Sequence, residues 1–399
     1  MISQHGKPIT VRLRKELTRQ IKRGHAWLYS DAIDLPAAPA GAIASLLDKR
    51  GKQPIATGIY APEHPIPLRI CRTSAPFNVD NGWLISQLEK AIELRQSYFG
   101  EETNGFRLVA GEGDGLPGLI IDIYNDVGVM KLDGGGPEVF YDPEAIAAWL
   151  AERIQLSAVI LRKRGDHKSK SSNWHSLIGK APESTISFLE NGLKFSADVI
   201  RGQKTGFFLD QRDNRQLIRQ LSKNRTVLNL FSFNGGFSIA AGVGGAKHVT
   251  SVDIAGPAIE AARQHWLDNN LRPEFHTAVA EDCFQFLDNA IGNRQSWNIV
   301  ISDPPSFAPN EKSRERALQA YEKLAQLTAK VTARNGLLAL ASCSSHVDLR
   351  AFTTACSDGL GRARRKATLI AEKGLPLDHP TPLAMPELRY LKFLLLQLD

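Results

Sequence analysis

VLNLFSFNGGFS, residues 227–238, reads as an apolar strand, a tight Gly-Gly turn and the first turn of a helix. It stands where a strand–helix alternation begins. HVTSVD (248–253) follows as a strand, then a helix near 257–269. HTAVAED (276–282) is a short third strand, and WNIVISD (297–303) an apolar fourth. A helix near 314–332 and the strand GLLALASC (336–343) complete the run. Strands alternating with helices predict a parallel sheet with helices on both faces. The expected fold class is therefore α/β, with a Rossmann-type sheet in the C-terminal half.

The loop lacks the G-x-G-x-x-G spacing that lets a backbone cradle a pyrophosphate at a helix N-terminus. That argues against a dinucleotide oxidoreductase. Gly235 and Gly236 instead allow close approach by a nucleoside cofactor without a phosphate, with Asn229 and Phe231 beside them. Asp253 ends the second strand, placed to take both ribose hydroxyls; the competing reading is a helix cap near Gly256. Asp282, past the third strand, is placed for an adenine amino group, although Glu281-Asp282 before an apolar helix also makes a good cap. In SDPPSF, Asp303 is followed by Pro304 and Pro305, which fix φ and remove donors, giving a stiff corner. Cys343 ends the fifth strand among Ser342, Ser344 and Ser345. Gly235, Asp253, Asp303 and Cys343 thus converge at carboxyl ends of parallel strands, where open α/β sheets bind ligands.

Upstream the pattern differs. ITVRL, AIASLLD, IATGIY and LRICR read as strands of a small β-rich unit within residues 1–73. Residues 74–189 read as a central α+β domain: a helix over 83–99, a hairpin pivoting at Asn125-Asp126, a helix over 143–156 and the strand SAVILRKR. GEGDGLPG (111–118) resembles a phosphate loop, but a strand follows it; its glycines are read as positive-φ turns. The third domain is 190–399.

The 399 residues carry 49 Lys and Arg against 42 Asp and Glu, a net charge of +7, with 43% hydrophobic and 23% charged residues. The basic residues cluster at Arg12, Arg14, Lys15, Arg19, Lys22 and Arg23, at Arg162, Lys163, Arg164, Lys168 and Lys170, and at Arg362, Arg364, Arg365 and Lys366. Such clusters suit a polyanion. Cys71, Cys283, Cys343 and Cys356 have no metal-ligand spacing, and scattered cysteines point to a reducing compartment. With no apolar run of membrane-spanning length, the expectation is a cytoplasmic protein, with no metal and no membrane partner.

GQKTGFFLDQRDNR (202–215), LNLFSFNGGFS, VTSVDIAGPAIEAARQH, SDPPSFAPNEK and ASCS together resemble the RlmI family of rRNA cytosine-C5 methyltransferases. RGHAWLYSDAI (23–33) is similar to the opening of that family's N-terminal PUA domain, an RNA-binding β-barrel, and GEGDGLPGLIIDIY to the start of its central domain. The resemblance implies S-adenosylmethionine (AdoMet) as cofactor and a base of 23S rRNA as acceptor. It implies that Asp253 and Asp282 bind AdoMet, with Gln211 and Arg212 near it. Asp303 would mark the target-base pocket and Cys343 would be the nucleophile. Phe207 and Phe208 would pack beneath the cofactor. Two other readings stay open. DPPSF also resembles the corner of amino-methylating enzymes, with Phe307 one place late, and an RNA-binding assembly factor would need no chemistry.

Overall fold

The computed structural model describes residues 1–2, 7–74, 78–163 and 173–399. Arg164, Lys168 and Lys170 of the second basic cluster lie outside the described residues. The chain divides into two compact units. The first comprises Met1–Leu189, Ser196–Leu209 and Leu377–Leu388; the second comprises Glu190–Phe195, Asp210–Pro376 and Arg389–Asp399.

The first unit contains two five-stranded sheets. One is ordered Ile9–Arg12, Ala42–Leu47, Pro54–Tyr60, Leu68–Arg72, Trp27–Leu28. Along Ala42–Leu47 the buried positions alternate, Ala42, Ala44 and Leu46 facing the core, as a strand of period two requires. The other sheet is ordered Trp174–Ile178, Ala158–Arg162, Val127–Leu132, Leu119–Tyr124, Gly105–Ala110. Tyr124 pairs with Val127 around a two-residue turn in which Asn125 has φ 57°, so the hairpin pivots where its Asn-Asp pair predicts. Gly115 and Gly118 take φ 70° and 73°, confirming turns in the Gly-rich stretch. The helices Asn81–Tyr98 and Pro143–Ile154 are capped by Asp80 and Asp142, whose side chains accept from Trp83 N–H and Ala145 N–H.

The segment Leu377–Leu388 joins this first unit, an excursion the sequence reading did not contain. A buried charge pair fastens it. Arg95, 1% exposed, binds Asp114 through two bonds of 2.6 and 2.8 Å and donates to the Asp378 carbonyl at 2.8 Å. Phe207 also belongs here, packed on Phe188 with its N–H donating to Tyr124 Oη. It thus lies in this unit's core.

The second unit is built on one seven-stranded sheet. Its strands are β1 (Thr226–Leu230), β2 (His248–Asp253), β3 (His276–Ala280), β4 (Trp297–Ser302), β5 (Thr332–Ser342), β6 (Ala367–Lys373) and β7 (Lys392–Leu398). Its helices are α1 (Arg212–Leu221), α2 (Gly236–Val243), α3 (Gly256–Asp268), α4 (Cys283–Gly292), α5 (Arg314–Val331) and α6 (Leu349–Arg362). The strand order is β3-β2-β1-β4-β5-β7-β6. The first five are parallel, and β7 runs antiparallel between β5 and β6. Val227–Leu230 and Ile299–Ser302 are buried throughout, as strands covered on both faces must be. The alternating pattern read from sequence stops at Cys343; β6 and β7 lie beyond it.

Candidate active site at the carboxyl edge of the sheet

Parallel strands bring the sequence-predicted residues to one edge. Reading across it come Asp282 after β3, Asp253 ending β2, the 231–236 loop after β1, Asp303 after β4 and Cys343 after β5.

The loop is strained. Phe231 and Phe233 take φ 55° and 48°, left-handed values that cost a bulky residue roughly 1–3 kcal/mol each. Three backbone N–H groups hold it: Phe231 donates to Cys283 Sγ at 3.2 Å, Ser232 to the Val252 carbonyl at 3.0 Å, and Phe233 to Asp253 Oδ2 at 2.8 Å. Gly235 has φ 83°, and a Cβ there would stand 2.8 Å from Ala262 Cβ. Its glycine therefore serves the turn and the close packing of α2 on α3 together.

Asp253 is not the cap of α3. Ala255 occupies that position without a side-chain bond, and Asp253 Oδ1 accepts from Ala255 N–H at 2.9 Å. Each carboxylate oxygen can accept more than one bond, so Asp253 can stiffen the loop and still receive hydroxyls. Asp282 does cap a helix: Oδ1 accepts from Phe284 and Gln285 N–H at 2.9 and 3.0 Å. Gly236 is buried at the first position of α2.

Asn229, expected beside the cofactor, has one end of its amide engaged inside the sheet. It is fully buried, and its Nδ2 donates to Ser238 Oγ at 2.9 Å. Ser238 Oγ meets Ser251 Oγ at 2.6 Å, and Ser251 Oγ meets His276 Nε2 at 2.7 Å. This chain underpins the loop from inside the sheet. Burial holds the His276 imidazole down to about 4. Gln211 and Arg212 are likewise buried, at the start of α1. Gln211 Oε1 accepts from Asn214 Nδ2 at 2.6 Å, and Arg212 lies 3.8 Å from Glu190, which also holds Arg215. Neighbouring Asp210 accepts from Tyr390 Oη at 2.8 Å, just before β7.

Around this edge Asn229 Oδ1, Ser232 Oγ and Ser302 Oγ are buried without a hydrogen-bond partner. A buried polar atom left unpaired costs about 1–3 kcal/mol, so the edge fits a polar ligand that supplies the missing partners.

The other side of the crevice is a hydroxyl cluster. Asp303 is half-buried and leads into buried Pro304 and exposed Pro305. Cys343, half-buried, sits between fully buried Ser342 and Ser344. Ser344 Oγ meets Tyr321 Oη at 2.8 Å and Ser306 Oγ at 3.1 Å, and accepts from Ala308 N–H at 3.2 Å. Ser342 Oγ donates to Tyr321 Oη at 2.9 Å. The cluster thus ties the Asp-Pro-Pro corner to the residues flanking the cysteine. Lys392, 4% exposed, donates to the carbonyls of Ser344 at 2.6 Å and Tyr390 at 2.8 Å. Burial pulls its ammonium down to about 8. By contrast, burial pushes the thiol of Cys283 up to about 12 and those of Cys71 and Cys356 higher still.

Tyr321, Lys392 and Cys283 were not singled out by the sequence reading. Tyr321 has no signal distinct from a core aromatic of α5. Lys392 has one: a single charge entering the apolar run 393–396. Among the described residues no cluster of His, Cys, Asp and Glu is arranged to hold a metal ion, and no helix is long and apolar enough to cross a membrane.

The S-adenosylmethionine-dependent methyltransferase family matches residues 143–344, and the PUA-like domain family matches 11–73. A ribosomal RNA large subunit methyltransferase of Deinococcus radiodurans is 36% identical, covering 98% of both chains. The ribosomal RNA large subunit methyltransferase I of Alteromonas mediterranea is 31% identical over 95% of this chain and 96% of its own. Among solved structures, a SAM-dependent methyltransferase from Streptococcus mutans has TM-score 0.83 at 22% identity, covering 98% of this chain and all of its own. A methyltransferase complexed with SAH has TM-score 0.85 at 23% identity, with the same coverage. The sheet order, the strained loop at its edge and these relatives agree: the chain belongs to the S-adenosylmethionine-dependent methyltransferase family, in the group whose curated members are named ribosomal RNA large subunit methyltransferases.

Proposed function

We propose that the protein methylates C5 of a cytosine in 23S rRNA, with Cys343 as the nucleophile. The observation that carries this reading is the position of Cys343: a half-buried cysteine at a strand end, whose neighbour Ser344 is bonded through Ser306 to the Asp303-Pro-Pro corner. The cofactor, AdoMet, supplies an electrophilic methyl group when bound. Asp253, the 231–236 loop and Asp282 would hold it. Cytosine C5 is too weak a nucleophile to take that methyl unaided. Addition of the Cys343 thiolate to C6 makes C5 carbanion-like. After C5 is methylated, a base or water takes the C5 proton, the C5–C6 double bond reforms and the C6–S bond breaks to release the thiolate. Splitting one hard step into easier ones is the advantage of covalent catalysis. The target base must leave its stack to reach the crevice.

The relatives' names support an rRNA acceptor. So does the first unit, where Arg19, Lys22 and Arg23 are exposed and carry no ion pair among the described residues. The other clusters contribute less. Arg12 and Arg14 are held by Asp34, and Lys15 by Asp31. Arg365 straps the Asp399 carboxylate and three backbone carbonyls of the α5–β5 region. The proposed division assigns RNA docking to 1–73, a linking role to 74–189 and chemistry to 190–399, in a cytoplasmic protein.

Nitrogen methylation is the competing chemistry. Its stacking aromatic would be Phe307, whose ring packs on Tyr321 at 5.0 Å, which favours a structural role for it. The deciding experiment methylates deproteinised 23S rRNA with labelled AdoMet and maps the product by mass. The expected product is 5-methylcytosine, absent with Cys343→Ser. A methyl on guanine or on an amino nitrogen, or full activity of Cys343→Ser, would overturn the reading.

A further inference from the structure

Lys392 is costly to bury. Its side chain is 4% exposed, its Nζ donates to two backbone carbonyls, and among the described residues it makes no ion pair. An ammonium removed from water without a carboxylate carries a large desolvation penalty, and replacing such charges by apolar groups is often neutral or stabilising. Stability alone therefore does not explain a lysine at this place. Two positions along the same strand, Leu394 and Leu396 are buried on that sheet with no charge at all.

The register shows what the charge serves. Lys392 pairs with Ser342 across the β5–β7 ladder, and its Nζ reaches 2.6 Å from the carbonyl of Ser344. Cys343 lies between those two residues. The ionisable groups that act on the ammonium are Cys343 and Asp348, the residue that caps α6. Tyr321, on α5, bonds the serines on either side of the same cysteine. Asp348 caps α6 through Oδ1, 2.8 Å from Ala351 N–H, and makes no ion pair with the ammonium among the described residues, while burial keeps Tyr321 neutral. A thiolate at Cys343 is the anion that this geometry can add beside the ammonium.

We propose that Lys392 is a positioning residue that stabilises the thiolate of Cys343 and fixes its backbone through the Ser344 carbonyl. The inference rests on Cys343 being the working thiol. Ionisation passes the thiol proton to solvent, and the ammonium keeps its own three protons. The interaction is reciprocal: the anion that raises the lysine's proton affinity lowers the cysteine's by the same free energy. Burial draws the ammonium down to about 8, so it remains mostly charged at neutral pH, and its loss above that value would release the thiolate's support. The pair is thus charged over a window bounded below by the thiol and above by the lysine.

The test is the rate of iodoacetamide alkylation at Cys343, followed by peptide mass analysis from pH 5 to 10, in wild type, Lys392→Met and Lys392→Arg. AdoMet calorimetry on each variant reports that the fold persists. Expected is an alkylation midpoint at least one pH unit higher in Lys392→Met, about tenfold less alkylation at pH 7, and recovery in Lys392→Arg. The acid limb of the methylation profile should move by the same amount. An unchanged midpoint in a Lys392→Met protein that binds AdoMet overturns the proposal. If Lys392→Met does not fold, the same comparison is made with Lys392→Gln, which retains a donor to the two carbonyls. Because alkylation reads the thiol directly, it separates this idea from the cytosine reading. A shifted midpoint with full activity of Cys343→Ser would leave the ion pair intact and remove its catalytic use, whereas an unshifted midpoint with an inactive Cys343→Ser would sink the pair alone.

Discussion

The two sides of the crevice are built differently. On the β2–β1 side, local backbone does the work: Phe231, Ser232 and Phe233 turn their N–H groups into the sheet, and Asp253 and Cys283 receive two of them. On the β4–β5 side, side chains distant in sequence meet. Ser306, Tyr321, Ser342, Ser344 and Lys392 come from five separate elements or loops, and Lys392 lies 48 residues from its partner Ser344. A side made of backbone and one carboxylate suits a cofactor whose shape is constant. A side made of a buried hydroxyl and ammonium network suits chemistry, because it can hold one thiol and one corner in register. Damage to the first side should therefore appear in cofactor affinity, and damage to the second in turnover.

The largest effect should come from the chemical side. Cys343→Ser is expected to lower methylation by a thousand-fold or more, on the order seen when a nucleophile is removed, while calorimetry shows AdoMet affinity unchanged. Equal losses in both measurements would erase the contrast. Next, Asp253→Ala removes both a loop anchor and a charge-assisted acceptor. A loss of about 1.5–3 kcal/mol corresponds to AdoMet affinity falling roughly ten- to hundred-fold, with kcat at saturating cofactor little changed. A collapse of kcat at full saturation would place Asp253 on the chemical side instead.

Gly235→Ala forces a Cβ to 2.8 Å from Ala262 at φ 83°. The expected cost is about 1–3 kcal/mol, read as a Tm lower by several degrees and as weaker AdoMet binding. A variant with wild-type Tm would mean that the loop relaxes freely. Tyr321→Phe removes the hydroxyl shared by Ser342 and Ser344. It should cost about 1 kcal/mol, a several-fold fall in kcat without a change in cofactor affinity. The smallest effect concerns His276 beneath the loop. Its imidazole is neutral in the fold, near 4 against an ordinary 6.5. The unfolded chain binds more protons between those values, so this contribution to stability is present above pH 6.5 and is lost as pH falls toward 4. His276→Asn should flatten the acid side of a stability–pH curve over that window; an unchanged slope would show that another group dominates it.

This contrast also explains what was legible in the sequence. The β1–α2 loop is contiguous, so strand, Gly-Gly turn and helix can be read in one line, and Asp253 and Asp303 follow at strand ends. Asn229 shows what a contiguous motif leaves out: its Nδ2 pairs with Ser238 inside the sheet, a contact no sequence pattern announces. Asp282 carried two readings, and the cap is the one its bonds display. The C-terminal strands stayed hidden for another reason. The run 393–396 is apolar without alternation, which periodicity cannot assign, and Leu377–Leu388 leaves for the first unit just before it. Lys392 and Tyr321 gain meaning only once β7 is laid against β5.

The central claim is that Cys343 attacks a cytosine, and one trap reads it directly. With 23S rRNA carrying 5-fluorocytosine and with AdoMet present, fluorine at C5 blocks release after methylation. The account predicts a covalent protein–RNA adduct with wild type, mapped to Cys343, and none with Cys343→Ser. Failure of wild type to form that adduct, while it methylates unmodified rRNA, would contradict it.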